Sequence, residues 1–163
     1  MDLREVLRAH STHPISHQLL TGYLKDYKRP NDKIKDLKDK GFIETMKKGL
    51  YIAGPALYGD KPDPFLLANH LHGPSYISNE TGMSYYGLIP ERVYGVTSVT
   101  IKNSRKFNTP LGRFNYTHLE LPYYAFGITS IKVAGNLYAL IASTEKAICD
   151  KIVTSSGLLI RSV

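Results

Sequence analysis

GFIETMKKGLYIAG, residues 41–54, holds two short apolar runs that are separated by two lysines and a glycine. The runs at 42–46 and 50–53 have the composition of β-strands, and Gly49 between them can take the positive φ of a tight hairpin. Lys47 and Lys48 would then stand at the hairpin tip, where a cation suits phosphate contact because it needs no particular base geometry. On the hairpin alone, a solubilising surface turn is an equally good interpretation.

Three helices are predicted before this hairpin. Apolar residues within 3–10 follow the i, i+3, i+4 spacing of a short amphipathic helix. Ser16 is placed to cap a second helix and Asn31 a third, whose inner face holds Ile34 and Leu37. Three helices followed by a two-stranded hairpin is the order of a winged helix-turn-helix, in which the third helix enters the DNA major groove.

The third helix carries charges of both signs. Asp32, Asp36 and Asp39 stand opposite its apolar face and would repel phosphate. Because of this acidic face, the alternative is a non-catalytic interaction module that uses the winged helix to dock an acidic protein partner. The residues predicted to contact DNA are basic and amide side chains of the preceding turn, the helix and the hairpin tip: Lys28, Arg29, Asn31, Lys33, Lys35, Lys38, Lys47 and Lys48.

The composition is that of a soluble globular protein, with 163 residues of which 42% are hydrophobic and 21% are charged. The formal net charge of +7 favours an acidic partner, which can be nucleic acid, an anionic membrane surface or an acidic protein. Cys149 is the only cysteine, so no internal disulfide can form, which fits a cytoplasmic location. No apolar run approaches the ~20 residues of a membrane span, and no membrane partner is expected.

Residues 1–55 and 56–163 are predicted to form two domains, joined where Pro and Gly are frequent. The sequence of the second domain predicts a small antiparallel sheet packed with helices. The whole chain is therefore predicted to be an α+β protein. Helices are expected at 64–71, 79–88 and 143–153, strands at 75–78, 93–102 and 113–121, a hairpin at 127–143, and a turn-rich basic loop at 103–112. Ser78 and Ser143 are the expected N-caps, and the last helix is expected to bury Ala147, Ile148 and Ile152.

Motifs of catalysis and of cofactor binding are absent: there is no P-loop, Gly-x-Gly-x-x-Gly, nucleophile elbow or His-Glu-x-x-His. His10, His13 and His17 have spacings that could suggest zinc, but Pro14 interrupts them and no cysteine is near. Cys149 lies on an amphipathic pattern and is expected in the core rather than as a nucleophile. We therefore expect no catalytic residue, no metal site and no cofactor.

Tyrosines are frequent in the second domain and are interleaved with basic residues. Such a mixture could form a surface for single-stranded nucleic acid, because aromatic rings stack on bases. The favoured alternative is that the tyrosines fill the rim of a small core and keep their hydroxyl groups hydrated. The tyrosines concerned are Tyr85, Tyr86, Tyr116, Tyr123 and Tyr124.

The order of six segments between residues 49 and 152 resembles the AbiEi-type antitoxin family, the regulator half of type IV toxin–antitoxin systems of abortive infection. The segments are GLYIAG, DPFLLANHL, SYISNETGMSYYGLIPE, VTSVTIK, RKFNTPLGRFNYTHLEL and STEKAICDKI. No single motif is specific, and the resemblance lies in their order and spacing. Together with the helical N-terminal part, it covers nearly the whole chain.

This resemblance implies a winged-helix DNA-binding domain that represses its own operon, bound as two copies to an inverted repeat of the promoter. It also implies a following domain that counters a nucleotidyltransferase-like toxin without a stable complex. The chain departs from the family in its acidic third helix and in its end at SSGLLIRSV, so part of the toxin-countering region is expected to be missing. The candidate antitoxin surface is basic and consists of Lys102, Arg105, Lys106 and Arg113.

Overall fold

The chain folds into two compact units, Met1–Asp63 and Pro64–Val163, each with its own helices and sheet. A computed structural model describes residues 2–57, 59–90 and 93–155. The mixture of helices and strands agrees with the predicted α+β class. The first unit extends beyond the predicted boundary at residue 55 because Leu57 is buried in its core. The end of the chain at 156–163 lies outside the described residues.

The first unit has the predicted three helices and hairpin, with one additional short strand. Its described elements are α1 (Leu3–Ala9), β1 (Ile15–Ser16), α2 (His17–Tyr23), α3 (Pro30–Asp39), β2 (Ile43–Lys47) and β3 (Leu50–Ala53). Strand β3 lies between β1 and β2 and is antiparallel to both. Side chains from the helices and the sheet form one core: Leu7, Ile15, Leu20, Leu24, Ile34, Leu37, Ile43, Tyr51 and Leu57.

Two local predictions for this unit are wrong. Asn31 does not cap α3, because the N-cap is Arg29, two residues earlier, which makes no side-chain hydrogen bond. Proline is favoured at the first helical position because its missing N–H would be unpaired there in any case. Lys47 is the last residue of β2, not part of the turn, so only Lys48 and Gly49 connect the strands.

The second unit contains one mixed sheet of six strands within the described residues. Its elements are α4 (Pro64–Leu71), β4 (Ser75–Ile77), α5 (Asn79–Tyr85), β5 (Val96–Thr100), β6 (Arg105–Thr109), β7 (Gly112–His118), β8 (Ile128–Ala134), β9 (Leu137–Ala142) and α6 (Thr144–Thr154). The strand order is β6-β7-β5-β4-β9-β8.

The prediction of an antiparallel sheet is wrong for two strand pairs, because β5 is parallel to β7 and β4 is parallel to β9. For β5 and β7 the error has a local cause at 103–112, which is not a basic loop but contains the edge strand β6. Since β6 forms an antiparallel hairpin with β7, the chain returns beside β5 in the parallel direction. In β6 only Phe107 is buried, so the strand has little apolar signal.

Helix α6 begins at its predicted cap, since the Ser143 hydroxyl accepts a hydrogen bond from the Lys146 N–H. The prediction of its inner face is correct for Ala147 and wrong for Ile148 and Ile152, which are 40% and 51% exposed. Lys146 and Asp150 are buried instead, because their side chains form an ion pair inside the unit.

Candidate nucleic-acid interface

Helix α3 buries Ile34 and Leu37 and presents a polar flank on one side of them. At about 100° per residue, Asn31, Lys35 and Lys38 share this flank. All three side chains are exposed, and none of them has an ion-pair partner within 2–57, 59–90 and 93–155. Three of the predicted DNA contacts therefore lie together on one side of the helix and are accessible.

On the other polar flank of α3, two lysines share ion pairs with one carboxylate. The Asp36 carboxylate accepts hydrogen bonds from Lys40 Nζ at 3.0 Å and from Lys33 Nζ at 3.3 Å. The hydrogen bond from Lys40, together with that from Lys33, lowers the pKa of the Asp36 carboxyl group. These side chains line a shallow crevice together with Arg4 and Phe42. This flank of α3 therefore faces the start of α1. Lys33 is therefore less available than predicted.

The remaining acids of α3 differ in their pairing. Asp32 lies 3.7 Å from the Arg29 guanidinium, and both side chains are highly exposed. Asp39, in contrast, has no ion pair within the part of the chain that the structure describes. Lys28 is exposed in the turn before the helix. Exposed pairs such as Arg29–Asp32 are weak, and Arg29 remains able to reach another anion.

The hairpin tip is held against the start of α2. The Gly49 carbonyl accepts a hydrogen bond from the His17 N–H at 2.9 Å, and Gly49 has a φ of +85°. Lys48 is exposed at the turn, whereas Lys47 is half-buried in β2 and has a partner. The two lysines, which were predicted to act together, therefore stand in different surroundings.

Strand β1 and His17 were missed as contributors to this region. Ile15 is buried and pairs with Tyr51, and His17 Nδ1 lies 3.3 Å from the Tyr51 hydroxyl group. The signal in the sequence was a single apolar residue between Pro14 and the capping Ser16. A strand of two residues has too little pattern to be recognised without its partner.

The basic residues of the predicted antitoxin surface do not form one cluster. Side chains alternate between the faces of a sheet, so Arg105 and Lys106 of β6 point to opposite sides. Lys106 is paired with Asn115 across the strands, and Asn108 with Arg113, which brings Lys106 and Arg113 onto one face. The Arg105 guanidinium lies 4.6 Å from the Phe107 ring centroid on the other face.

Lys102 lies after β5, and its carbonyl is 2.8 Å from Nδ1 of His118, the last residue of β7. Residues 93–119 contain no Asp or Glu, so this part of the second unit is positively charged.

The tyrosines of the second unit differ in burial, and the expectation that they keep their hydroxyl groups hydrated is wrong for Tyr116. Tyr116 and Tyr124 are buried, and the Tyr116 hydroxyl donates to the Ala68 carbonyl at 2.5 Å. Burial raises the pKa of Tyr116. Tyr85 is about half exposed and contacts the rings of Phe65 and Tyr86. These tyrosines are therefore not arranged as a row of exposed stacking platforms.

Within the described ranges, no group of three His, Cys, Asp or Glu side chains could hold a metal ion. His10 Nε2 instead lies 2.8 Å from the Tyr23 hydroxyl, and the His10 and His13 rings are in edge contact. Cys149 is exposed, so its predicted place in the core is wrong. None of the described helices is long and apolar enough to cross a membrane.

No protein-family model matches this chain, and no curated protein matches it. A functional assignment therefore depends on the arrangement of these side chains and on the resemblance in segment order.

Proposed function

We propose that the first unit is a winged helix-turn-helix domain that binds duplex DNA. The observation that carries this proposal is the order α1-β1-α2-α3-β2-β3 with β3 between β1 and β2, together with an accessible cationic flank on α3. In winged-helix proteins the third helix is the one that enters the major groove, and the hairpin lies beside the phosphates. Helix α3 and the β2–β3 turn occupy these positions in the chain.

The side chains of the α3 flank suit both kinds of contact that a major groove requires. An asparagine amide can pair with the N6 and N7 atoms of adenine, and a lysine can bind guanine or phosphate. Asn31 therefore supplies base discrimination, while Lys35 and Lys38 supply attraction to the duplex. Lys48 at the hairpin turn adds a contact to phosphate, which carries no sequence information.

We further propose that the chain is a non-catalytic autorepressor and the antitoxin of a type IV toxin–antitoxin system. This part rests on the resemblance of the segment order to the AbiEi-type family. It implies two copies on an inverted repeat in the chain's own promoter. It also implies a nucleotidyltransferase-like toxin that is countered without a stable complex. In the second unit, Lys106 and Arg113 share the face that we assign to this role.

A second candidate function is protein docking through the first unit. The observation that favours it is the exposed pair of Asp32 and Asp39 on the outer side of α3, where both carboxylates would oppose phosphate. The two candidates differ in one simple property. That property is the binding of duplex DNA and its dependence on salt. The affinity of a DNA-binding domain for any duplex falls steeply as the salt concentration rises, with a slope set by the number of phosphates contacted.

A gel-shift titration of the full chain tests the proposal, with the chain's own promoter and a scrambled duplex of equal length. We expect tighter binding to the promoter. Lys35→Ala with Lys38→Ala should weaken binding to both duplexes, whereas Lys132→Ala, an exposed lysine on the edge strand β8, should not. Equal affinity for both duplexes would contradict sequence-specific repression. No binding to either duplex would favour protein docking.

A test of the antitoxin role is growth rescue by co-expression with the toxin encoded beside the gene. We expect co-expression of this chain to restore growth, because the resemblance implies an antitoxin. Growth that stays arrested although the chain is expressed would contradict the antitoxin role.

A further inference from the structure

The lysines on the two polar flanks of α3 differ in whether they form ion pairs. On one flank Lys35 and Lys38 have no ion pair within the described ranges, whereas on the other Lys33 and Lys40 both donate to Asp36. The three acids of this helix are thus not equivalent, because only Asp36 holds two lysines at once.

Lys33 is held on more than one side. Its Nζ lies 3.3 Å from Asp36 Oδ2 and 5.5 Å from the centroid of the Tyr27 ring, where a cation is attracted by the face of the ring. Lys40 Nζ lies 3.0 Å from the same carboxylate oxygen. Both ammonium groups therefore have a local anion that competes with any phosphate.

We infer that Asp36 limits the strength of sequence-independent DNA binding, because it holds Lys33 and Lys40 away from phosphate. The inference rests on the proposed DNA-binding function. Phosphate contacts raise affinity for every duplex by the same factor, so each lysine that is released strengthens binding to the promoter and to any other duplex and leaves the ratio of the two affinities unchanged. One carboxylate thus sets how much of the helix charge acts on DNA.

A purely structural role for Asp36 predicts a different result. Ion pairs between exposed helical side chains contribute little to stability, so their loss should leave the thermal midpoint almost unchanged. The property that should change is the salt dependence of binding. Each new phosphate contact steepens the slope of log affinity against log salt by about 0.9, which is about a 3.5-fold greater loss of affinity between 50 and 200 mM salt.

The test compares Asp36→Asn with Asp39→Asn in the full chain. Both variants remove one negative charge from α3, but only Asp36→Asn releases lysines, since Asp39 has no ion pair within the described residues. Affinity is measured for the promoter and for a scrambled duplex at 50, 100 and 200 mM salt. A third variant, Asp36→Asn with Lys33→Met and Lys40→Met, removes the released charges again.

We expect Asp36→Asn to bind both duplexes more tightly, with a slope steeper by about one to two units, and to keep the same ratio of affinities between the promoter and the scrambled duplex. Asp39→Asn should change affinity and slope less than Asp36→Asn does, because it removes one negative charge without releasing a lysine. The triple variant should return the slope to that of the unaltered chain. Equal slopes for Asp36→Asn and Asp39→Asn would overturn the inference while leaving the DNA-binding function intact. If the unaltered chain binds neither duplex at 50 mM salt, the proposed function fails, and the inference fails with it.

Discussion

Replacing Asp150 by alanine should destabilise the second unit strongly, because this carboxylate is the acceptor for a buried polar cluster. Asp150 is fully buried, and its Oδ1 lies 3.4 Å from the ammonium group of Lys146. Its other oxygen accepts hydrogen bonds from the hydroxyl groups of Tyr76 at 2.8 Å and Ser78 at 2.7 Å. The substitution would leave both hydroxyl groups without this acceptor and the Lys146 ammonium group without its ion-pair partner.

The expected loss can be worked out from these contacts. Removing one member of a buried ion pair costs about 3–5 kcal/mol, since the remaining charge is buried without compensation. A buried hydroxyl group that loses its partner adds about 1–3 kcal/mol. Lys146 would keep its hydrogen bond to the Tyr123 carbonyl at 2.6 Å and its position 3.5 Å from the centroid of that ring, which favours the low end of each range. Two hydroxyl groups lose their acceptor, so the low ends of these ranges give an expected loss of about 5 kcal/mol.

The assay is urea unfolding followed by backbone amide NMR signals. Ala147 reports on the second unit, and Leu20 of the first unit serves as an internal reference in the same sample. A matched control is the double variant Lys146→Met with Asp150→Leu, which removes both charges and keeps most of the volume. It should lose less stability than Asp150→Ala, because no ammonium group is buried alone. The reasoning would be refuted if Asp150→Ala cost less than about 1 kcal/mol or the double variant lost as much.

Three further predictions concern the hairpin and the buried tyrosines. Gly49→Val should lower the thermal midpoint of the first unit, because φ at this turn is +85° and a β-branched residue there is strained by about 1–3 kcal/mol. Lys48→Ala should change the stability of the first unit by no more than about 0.5 kcal/mol, which is typical of exposed sites. It should also make the slope of log DNA affinity against log salt shallower by about 0.9. An unchanged slope would show that the hairpin does not contact DNA. The second unit should lose stability as pH rises above about 10, because burial and the hydrogen bond to Asp150 raise the pKa of Tyr76, so the unfolded chain releases this proton first. A pH-independent urea midpoint between pH 9 and 11 would contradict the last prediction.

The first unit was predictable where a pattern extends over several residues. Ile34 and Leu37 share a helix face, and their spacing alone placed them correctly in the core. Gly49 marked the turn because positive φ strongly favours glycine. The start of α3 was misplaced because Pro30 and Asn31 both carry a helix-start signal, and the choice between them depends on local geometry rather than on composition.

The second unit was less predictable because its decisive contacts are distant in sequence. Strand β6 is recognisable only through its pairing with β7, since Phe107 is its only buried residue and the rest resembles a loop. The direction of β7 then follows from this hairpin. The basic residues Lys106 and Arg113 could be chosen from composition, but their common face depends on a register that only the paired strands define.

Helix α6 shows why hydrophobic pattern alone fails at a buried polar cluster. A rule that places apolar residues inward would orient Ile148 and Ile152 toward the sheet, and it would leave Lys146 and Asp150 in water. The structure has the opposite orientation because Ser78, which was expected only to cap α5, and Tyr76 both donate to Asp150. The Asp150 carboxylate can be buried because the Lys146 ammonium group and the two hydroxyl groups lie against its oxygens, whereas a carboxylate without such partners could not. Sequence reasoning therefore needs to consider such residues as a group, and here the members are separated by about seventy residues along the chain.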